Sequence, residues 1–536
     1  MGIYPMAVIP AFSLVTEGVT RNRRFRAAVS LLFSVAILAL TFLPLFAASM
    51  NAELIRDENM FVALGALLSR TSLLPYRDFP YIHTPYLGVV FALITQISDR
   101  LLLSSRMVSV AFAWLTLVLL YVVAWAASRG RPHWQRGVIA TGTLLIVLVN
   151  PVFQSTARYA WNHQLSTLLA LASFLLVWHA RGRGPGSQHW VIFSAGILLG
   201  LAAGVRLTWV TTGPAYLLLL LTAGGRTRER WTGAAYFVAG TIVANLPILS
   251  LLALYPREVW FGVVEWHRYD TLAHELPGFW GPTLPMSLRA KAVYMATQAI
   301  GGDPASLMLY FAAAFFFLNA VVFLAQSHAF RLELLLMLAV LLSIFIGVLA
   351  PTPVFYSYFY APIPWLALTI LYSAFSTQQL SGSALLLFTV VVAIGCLYGV
   401  RSLGYELPNL RTPESWQPNR VHAIAAEIKA KVREGPLLTL DPVYAAEAGR
   451  EFYEPLVVGA IVWRAIAPIP LEERSRFKVV GSQELGSLLR DRPPAAILLS
   501  PDPLEQPMLR YAQEGGYRPF ALEKGLVLWI LREPRT

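Results

Sequence analysis

Residues 1–400 run through one apolar stretch after another, each about 16–24 residues long and nearly free of charge, the length at which a helix crosses the hydrocarbon core of a bilayer. Only 13% of the 536 residues are charged and 56% are hydrophobic, whereas soluble domains carry about a quarter charged residues. A soluble globular fold is excluded, and the expected class is a polytopic α-helical membrane protein. The net charge of +12 does not point to nucleic acid, because the basic residues form short clusters between apolar runs and no single stripe. The single cysteine, Cys396, lies inside an apolar run, so no intramolecular disulfide can form.

The arginine clusters set an expected topology. Arg21, Arg23, Arg24 and Arg26 precede the run 27–50 and place the N-terminus in the cytoplasm; that run is longer than the apolar part of a cleaved signal peptide. Arg129, Arg131 and Arg136 separate 105–127 from 138–153, Arg181 and Arg183 follow 163–180, and Arg226, Arg228 and Arg230 follow 207–222. Arg331 separates 307–325 from 334–349. With these loops inside, the modest run 84–97 must begin and end outside as a half-inserted or interfacial helix, and about 11 spans are expected, including a hairpin at 190–222 and a last span at 384–400. The loops 51–104 and 255–304 then face outward.

From Arg401 the charged residues become frequent and the apolar runs shrink to strand length. Runs at 437–440, 495–499 and 526–531 read as strands, with helical patterns at 421–432 and 503–514. We therefore expect a transmembrane domain over 1–400 and a separately packed, small α/β domain over 401–536 on the outer side.

Ionisable side chains at a membrane interface are costly unless paired or used. The densest group is Glu53, Arg56, Asp57 and Glu58, just after the first span. Asp57 and Glu58 are adjacent, so on a helix they point about 100° apart and need not share a task. A plain reading is that they favour the N-terminus of a helix beginning there.

The sequence Asp57-Glu58, followed by Leu74-Pro75-Tyr76-Arg77-Asp78-Phe79 and Thr84-Pro85-Tyr86-Leu87, resembles the first outer loop of GT-C glycosyltransferases that use polyprenyl-phosphate sugars, such as aminoarabinose transferases and protein O-mannosyltransferases. Asn150-Pro151 before a short polar loop, Gly204-Val205-Arg206, and Tyr358-Phe359-Tyr360 with Pro362 and Pro364 are similar features. The resemblance implies a transferase in which the acidic residue after the first span, Asp57, is the catalytic carboxylate, with Glu58 as orienting neighbour or helix cap. Arg206, Arg289 and Lys291, the only lysine before residue 401, are the candidates for the donor phosphate. Arg206 also reads as a snorkelling interfacial residue, and Arg289 with Lys291 as headgroup contacts.

Tyr76, Asp78, His83, Asn162, His163, His267, Tyr358 and Tyr360 are the candidate substrate-binding residues, Tyr358 and Tyr360, with Tyr356, reading equally as an interfacial aromatic belt. Relatives often have a lysine where His83 precedes Thr84-Pro85, and an acidic residue where Asn162 and His163 stand. The one cofactor in view is a divalent metal ion near His83, His163 and His267, although their spacing supplies no local ligand motif. The expected activity is transfer of a sugar from polyprenyl phosphate to a lipid, glycan or protein acceptor on the outer face, and the expected location is a bacterial inner membrane. The alternatives are a lipid-linked sugar flippase and a non-catalytic scaffold; transporters tend to show repeats and midplane charges, and neither is visible.

Overall fold

The computed structural model describes residues 21–184, 188–276, 279, 284–324, 328–375, 381–432 and 434–531. Arg21, Arg23, Arg24 and Arg26 of the topology argument lie outside the described side chains, and residue 325 of the run 307–325 outside the described residues.

The apolar runs fold as helices because a backbone in hydrocarbon must satisfy its own hydrogen bonds. After α1 (Arg21–Asn51) a loop carries α2 (Arg56–Arg70) and α3 (Tyr86–Thr95), and α4 (Leu101–Ala127) returns. Then come α5 (His133–Leu148), α6 (Pro151–Ala157), α7 (Asn162–Arg183), α8 (His189–Val205), a 3₁₀ turn at Leu207–Thr212, α9 (Gly213–Leu221) and α10 (Thr227–Leu254). A second long loop holds α11 (Pro256–Trp260), a π turn at Phe261–Glu265, α12 (Trp266–Glu275) and α13 (Leu288–Tyr294). It leads to α14 (Pro304–Asn319), α15 (His328–Leu349), a 3₁₀ turn at Tyr356–Tyr360, α16 (Ile363–Phe375) and α17 (Ser381–Gly404).

Among the described residues eight helices are long and apolar enough to cross a membrane, and α5 with α6, bent by 69°, makes a ninth if taken as one span. The bend follows from Asn150-Pro151: Pro151 has no N–H to continue the ladder, and Asn150 Oδ1 accepts from the backbone N–H of Val152 and Phe153, starting a new helix. The expected number of about 11 is reached when α8 and the 207–221 unit form the two arms of the 190–222 hairpin. The ten residues of α3 rise only about 15 Å, half the hydrocarbon core, too short for a full span and in keeping with a half-inserted or interfacial helix.

The C-terminal region contains α18 (Gln417–Lys431), β1 (Leu437–Leu438), α19 (Pro442–Glu447), α20 (Ala460–Ala465), α21 (Leu471–Arg476), α22 (Leu485–Asp491), β2 (Ala496–Leu499), α23 (Gln506–Glu514), β3 (Tyr517–Ala521) and β4 (Val527–Leu531). Its sheet runs β1-β2-β4-β3, with β1 parallel to β2 and the other pairs antiparallel. β3 is absent from the sequence expectation because Pro519 and its largely exposed side chains suit only an edge strand.

This region is not packed separately. One buried cluster joins Phe61, Leu64 and Tyr81 of the first loop and Phe261 and Trp266 of the second to Val421, Ile424, Val443 and Ile461. Phe261 stacks on Phe477 with ring centroids 3.9 Å apart. The physical reason is that α18 and α19 carry apolar faces which the four short strands cannot cover alone, and the amphipathic α2 supplies the missing surface.

Candidate active site

The site grows from the first turn of α2. There Asp57 and Glu58, favoured by the exposed N–H groups of a helix start, diverge as adjacent helical residues must. Glu58 turns inward and is fully buried: its Oε1 accepts from Arg106 Nε at 2.8 Å and its Oε2 from Arg106 Nη2 at 2.6 Å. Oε1 also accepts from the backbone N–H of Ala160 at 2.7 Å. Arg106 Nη1 donates to the carbonyls of Ser49 and Ala52 at 2.6 and 2.7 Å. Glu58 thus ties α1, α2, α4 and the 158–161 turn together, and no oxygen is left for substrate.

Asp57 is half-buried, and among the described residues its carboxylate accepts no hydrogen bond. Burial pushes its pKa up to about 6, against the opposing pull of Arg464, Arg206 and Arg56; Asp270 adds to the rise. A carboxylate in this state is available to take a proton near neutral pH.

Arg206 forms the cationic wall. It follows α8 in extended conformation, and its Nη1 donates to Asn162 Oδ1 at 3.1 Å and lies 3.3 Å from His163 Nε2. Its guanidinium stands 4.5 Å from the Tyr358 ring and 5.7 Å from the Tyr360 ring. The Tyr360 hydroxyl is 3.1 Å from Ser166 Oγ. Gly204 is needed here because an added Cβ would meet the Tyr86 ring at 2.1 Å, and Tyr86 in turn donates to Ala244 O at 2.6 Å. The Thr84-Pro85-Tyr86 and Gly204-Val205-Arg206 segments are therefore two sides of one contact.

His83 stacks on Phe61 with ring centroids 5.5 Å apart and lies 6.2 Å from His267. Burial, then the neighbouring His267 and Arg206, holds His83 well below the ordinary imidazole range. Burial and then Arg206 lower His267 to about 4. Both are neutral at physiological pH and can exchange hydrogen bonds with a sugar. Among the described residues no group of three or more His, Cys, Asp or Glu side chains converges to hold a metal ion. Arg206 stands among the histidines instead, so the residues do not fit the metal that the resemblance suggests.

Asp57, Arg206, His83, Asn162, His163, His267, Tyr358 and Tyr360 thus come together. The other expected residues do different work. Tyr76, at a positive φ of 69°, donates its hydroxyl to His83 O at 2.5 Å and builds the turn that presents that histidine. Asp78 accepts from Leu74 N at 2.7 Å and pairs with Arg77, closing the same turn. Lys291, expected at a phosphate, is buried: its Nζ donates to Leu349 O, Pro351 O and Thr352 Oγ1 at 2.9, 2.7 and 2.6 Å. It satisfies carbonyls at the end of α15, where a cation complements the helix dipole. Arg289, two residues before it and so on nearly the opposite side of α13, is exposed, and no hydrogen bond or ion pair joins it to these groups among the described residues.

Two charged groups beside Asp57 escape the sequence reading. Asp270 follows His267 by three residues on α12, a spacing that puts both on one helix face and could have flagged it. Arg464 is the lone charge in the apolar stretch 460–469, which marks it as a residue with a buried partner, though not which one.

No protein-family model matches the chain, and no curated protein sequence matches it. Its fold matches that of ArnT from Cupriavidus metallidurans bound to undecaprenyl phosphate, with a TM-score of 0.61 and 13% identity over 93% of this chain and 97% of the other. The apo ArnT structure gives 0.60 and 14%, covering 94% and 98%. The oligosaccharyltransferase AglB from Archaeoglobus fulgidus, in complex with an inhibitory peptide and a dolichol-phosphate, gives 0.50 and 10%, covering 94% of this chain and 74% of that one. Over more than nine-tenths of its length, the chain thus has the fold of the ArnT membrane protein.

Proposed function

We propose that this protein is an integral-membrane glycosyltransferase that moves a sugar from a polyprenyl-phosphate donor to an acceptor hydroxyl at the outer face, with Asp57 as general base. The observation that carries the reading is one arrangement: a half-buried carboxylate that accepts no hydrogen bond among the described residues, beside a guanidinium braced by Asn162, His163 and two tyrosines. The fold it shares with ArnT, whose structure holds undecaprenyl phosphate, supports a lipid-phosphate donor.

In the reaction the acceptor oxygen attacks the anomeric carbon, and the bond from that carbon to the phosphate oxygen breaks. The acceptor proton passes to Asp57, and polyprenyl phosphate leaves with the bonding electrons. Arg206 stabilises the negative charge on the departing phosphate. Phosphate is an adequate leaving group, so no general acid is required. Neutral His83 and His267 with Asn162 offer hydrogen bonds to sugar hydroxyls. The first 400 residues would supply this machinery from a bacterial inner membrane with the N-terminus in the cytoplasm, and residues 401–536 would lie outside.

The test is to incubate the purified protein with a panel of undecaprenyl-phosphate hexoses and pentoses and with envelope extract as acceptor. Release of undecaprenyl phosphate together with a glycosylated product supports the reading. Movement of an intact donor across a vesicle would favour a flippase, and neither outcome a scaffold.

A further inference from the structure

The helix that carries the proposed base is gripped from the C-terminal region on both sides of that base. Arg56, one residue before Asp57, donates from Nη2 to Asp502 Oδ2 at 2.5 Å. Asn59, two residues after it, donates from Nδ2 to Asp441 Oδ1 at 3.0 Å, and its Oδ1 accepts from Val443 N at 3.4 Å. α20 packs against both α2 and α12 and so brings Arg464 to the carboxylates of Asp57 and Asp270.

Arg464 is placed there at a cost. Its Nε is buried without a hydrogen-bond partner among the described residues, as is Asp270 Oδ1, and its guanidinium lies 5.5 Å from the Phe279 ring. A cation held this way, with polar atoms unspent, acts through its field more than through a fixed bond. Its electrostatic neighbours are Asp270, Arg56, Asp57 and Asp502, whereas Arg206 acts on Asp57, His83, His163 and His267. Asp57 is the group they share, which sets it between a cation of the membrane region and a cation of the C-terminal region.

We infer that Arg464 is a positioning residue of the catalytic centre: the C-terminal region supplies the counter-ion that keeps Asp57 ionised, and the site is incomplete without it. This rests on the reading of Asp57 as base. The groups whose charges act on Asp57 are Arg464 on α20, Arg206 on the membrane side, Asp270 on α12 and Arg56 on α2, with Tyr358 beside it; behind them His274 lies against Asp270, Asp502 pairs with Arg56, His83 and His267 stand by Arg206, and Glu58 turns away to Arg106. Of the cations, Arg464 opposes protonation of Asp57 most strongly, ahead of Arg206. Removing it leaves Asp57 beside Asp270 with its main opposing charge gone.

The measurement is an infrared titration of the full-length protein in detergent, with the protonated-carboxyl band of Asp57 assigned by difference from Asp57→Asn. In the unaltered protein the band should titrate near pH 6. In Arg464→Gln it should titrate at higher pH, and Arg464→Lys should bring it back. Arg464→Met, which keeps an apolar stem against Phe279, serves as a second neutral variant if Arg464→Gln does not fold. Turnover of the polyprenyl-phosphate sugar should fall several-fold more at pH 6 than at pH 8 in the neutral variants, with donor affinity retained. An Asp57 band that titrates at the same pH in both the unaltered protein and a folded neutral variant would overturn the role of Arg464. If Asp57→Asn itself turns over normally, it is the base assignment that fails instead.

Discussion

Asp57 and Glu58 stand next to each other and share almost nothing else. Glu58 is a structural anchor, because both its oxygens are occupied inside a dry junction with Arg106. Replacing Arg106 with leucine would leave the Glu58 charge buried and unpaired, at a cost of about 3–5 kcal/mol. The expected outcome is a clear fall in the thermal midpoint of the detergent-solubilised protein, well beyond that of an exposed Arg289→Ala control. Asp57, in contrast, remains open to a proton. A base must be deprotonated to act, so turnover should rise with pH through about 6 and level off above it. His267, lowered to about 4, is already neutral across that window and should add no second limb. A rate profile flat between pH 5 and 8 would contradict this. The pairing of Glu58 with Arg106 was not legible in the sequence, since the two are far apart and nothing local marks either as the other's partner. The functional cluster was more legible, because Arg206, His83 and Asn162 are polar residues stranded beside apolar runs.

At the scale of elements, the period and length of the apolar runs identify the helices, and proline with asparagine locates the break between α5 and α6. What local pattern cannot show is which helix end a side chain will serve. Lys291 looks like a phosphate ligand on charge alone, yet three acceptors at the end of α15 claim its ammonium. Lys291→Met should therefore lower thermal stability, by about 1.5–3 kcal/mol for each charged hydrogen bond left uncompensated, and should leave polyprenyl-phosphate affinity unchanged. Binding measured by microscale thermophoresis alongside thermal melts would check both halves. An affinity loss without a stability loss would return Lys291 to the donor site. The edge strand β3 was missed for a comparable reason: a strand read as a buried apolar run must be buried, and this one is largely exposed.

For the whole molecule, the composition break near residue 401 was easy to see, but it does not mark a gap in packing. Val421, Ile424 and Ile428 share a core with Phe61, Leu64 and Tyr81 from the first loop. Residues 401–536 produced alone would expose that face. We expect such a fragment to aggregate or to bind a hydrophobic dye and be digested rapidly by protease; a monomeric, protease-resistant fragment would contradict the shared core. A sequence cannot display this kind of dependence, because each side of the interface looks like an ordinary amphipathic helix until the other is in place. The same interface brings the C-terminal region to both flanks of Asp57, so fold and proposed chemistry meet on α2. The most direct test of the central claim is therefore a paired measurement on Asp57→Asn: single-turnover transfer from a polyprenyl-phosphate sugar, and affinity for that donor. Transfer should fall by about 10²–10⁴ while donor binding is retained or strengthened, since a base is lost and a charge that repels phosphate is removed. Transfer at the normal rate in a chain that lacks the Asp57 carboxylate would contradict it.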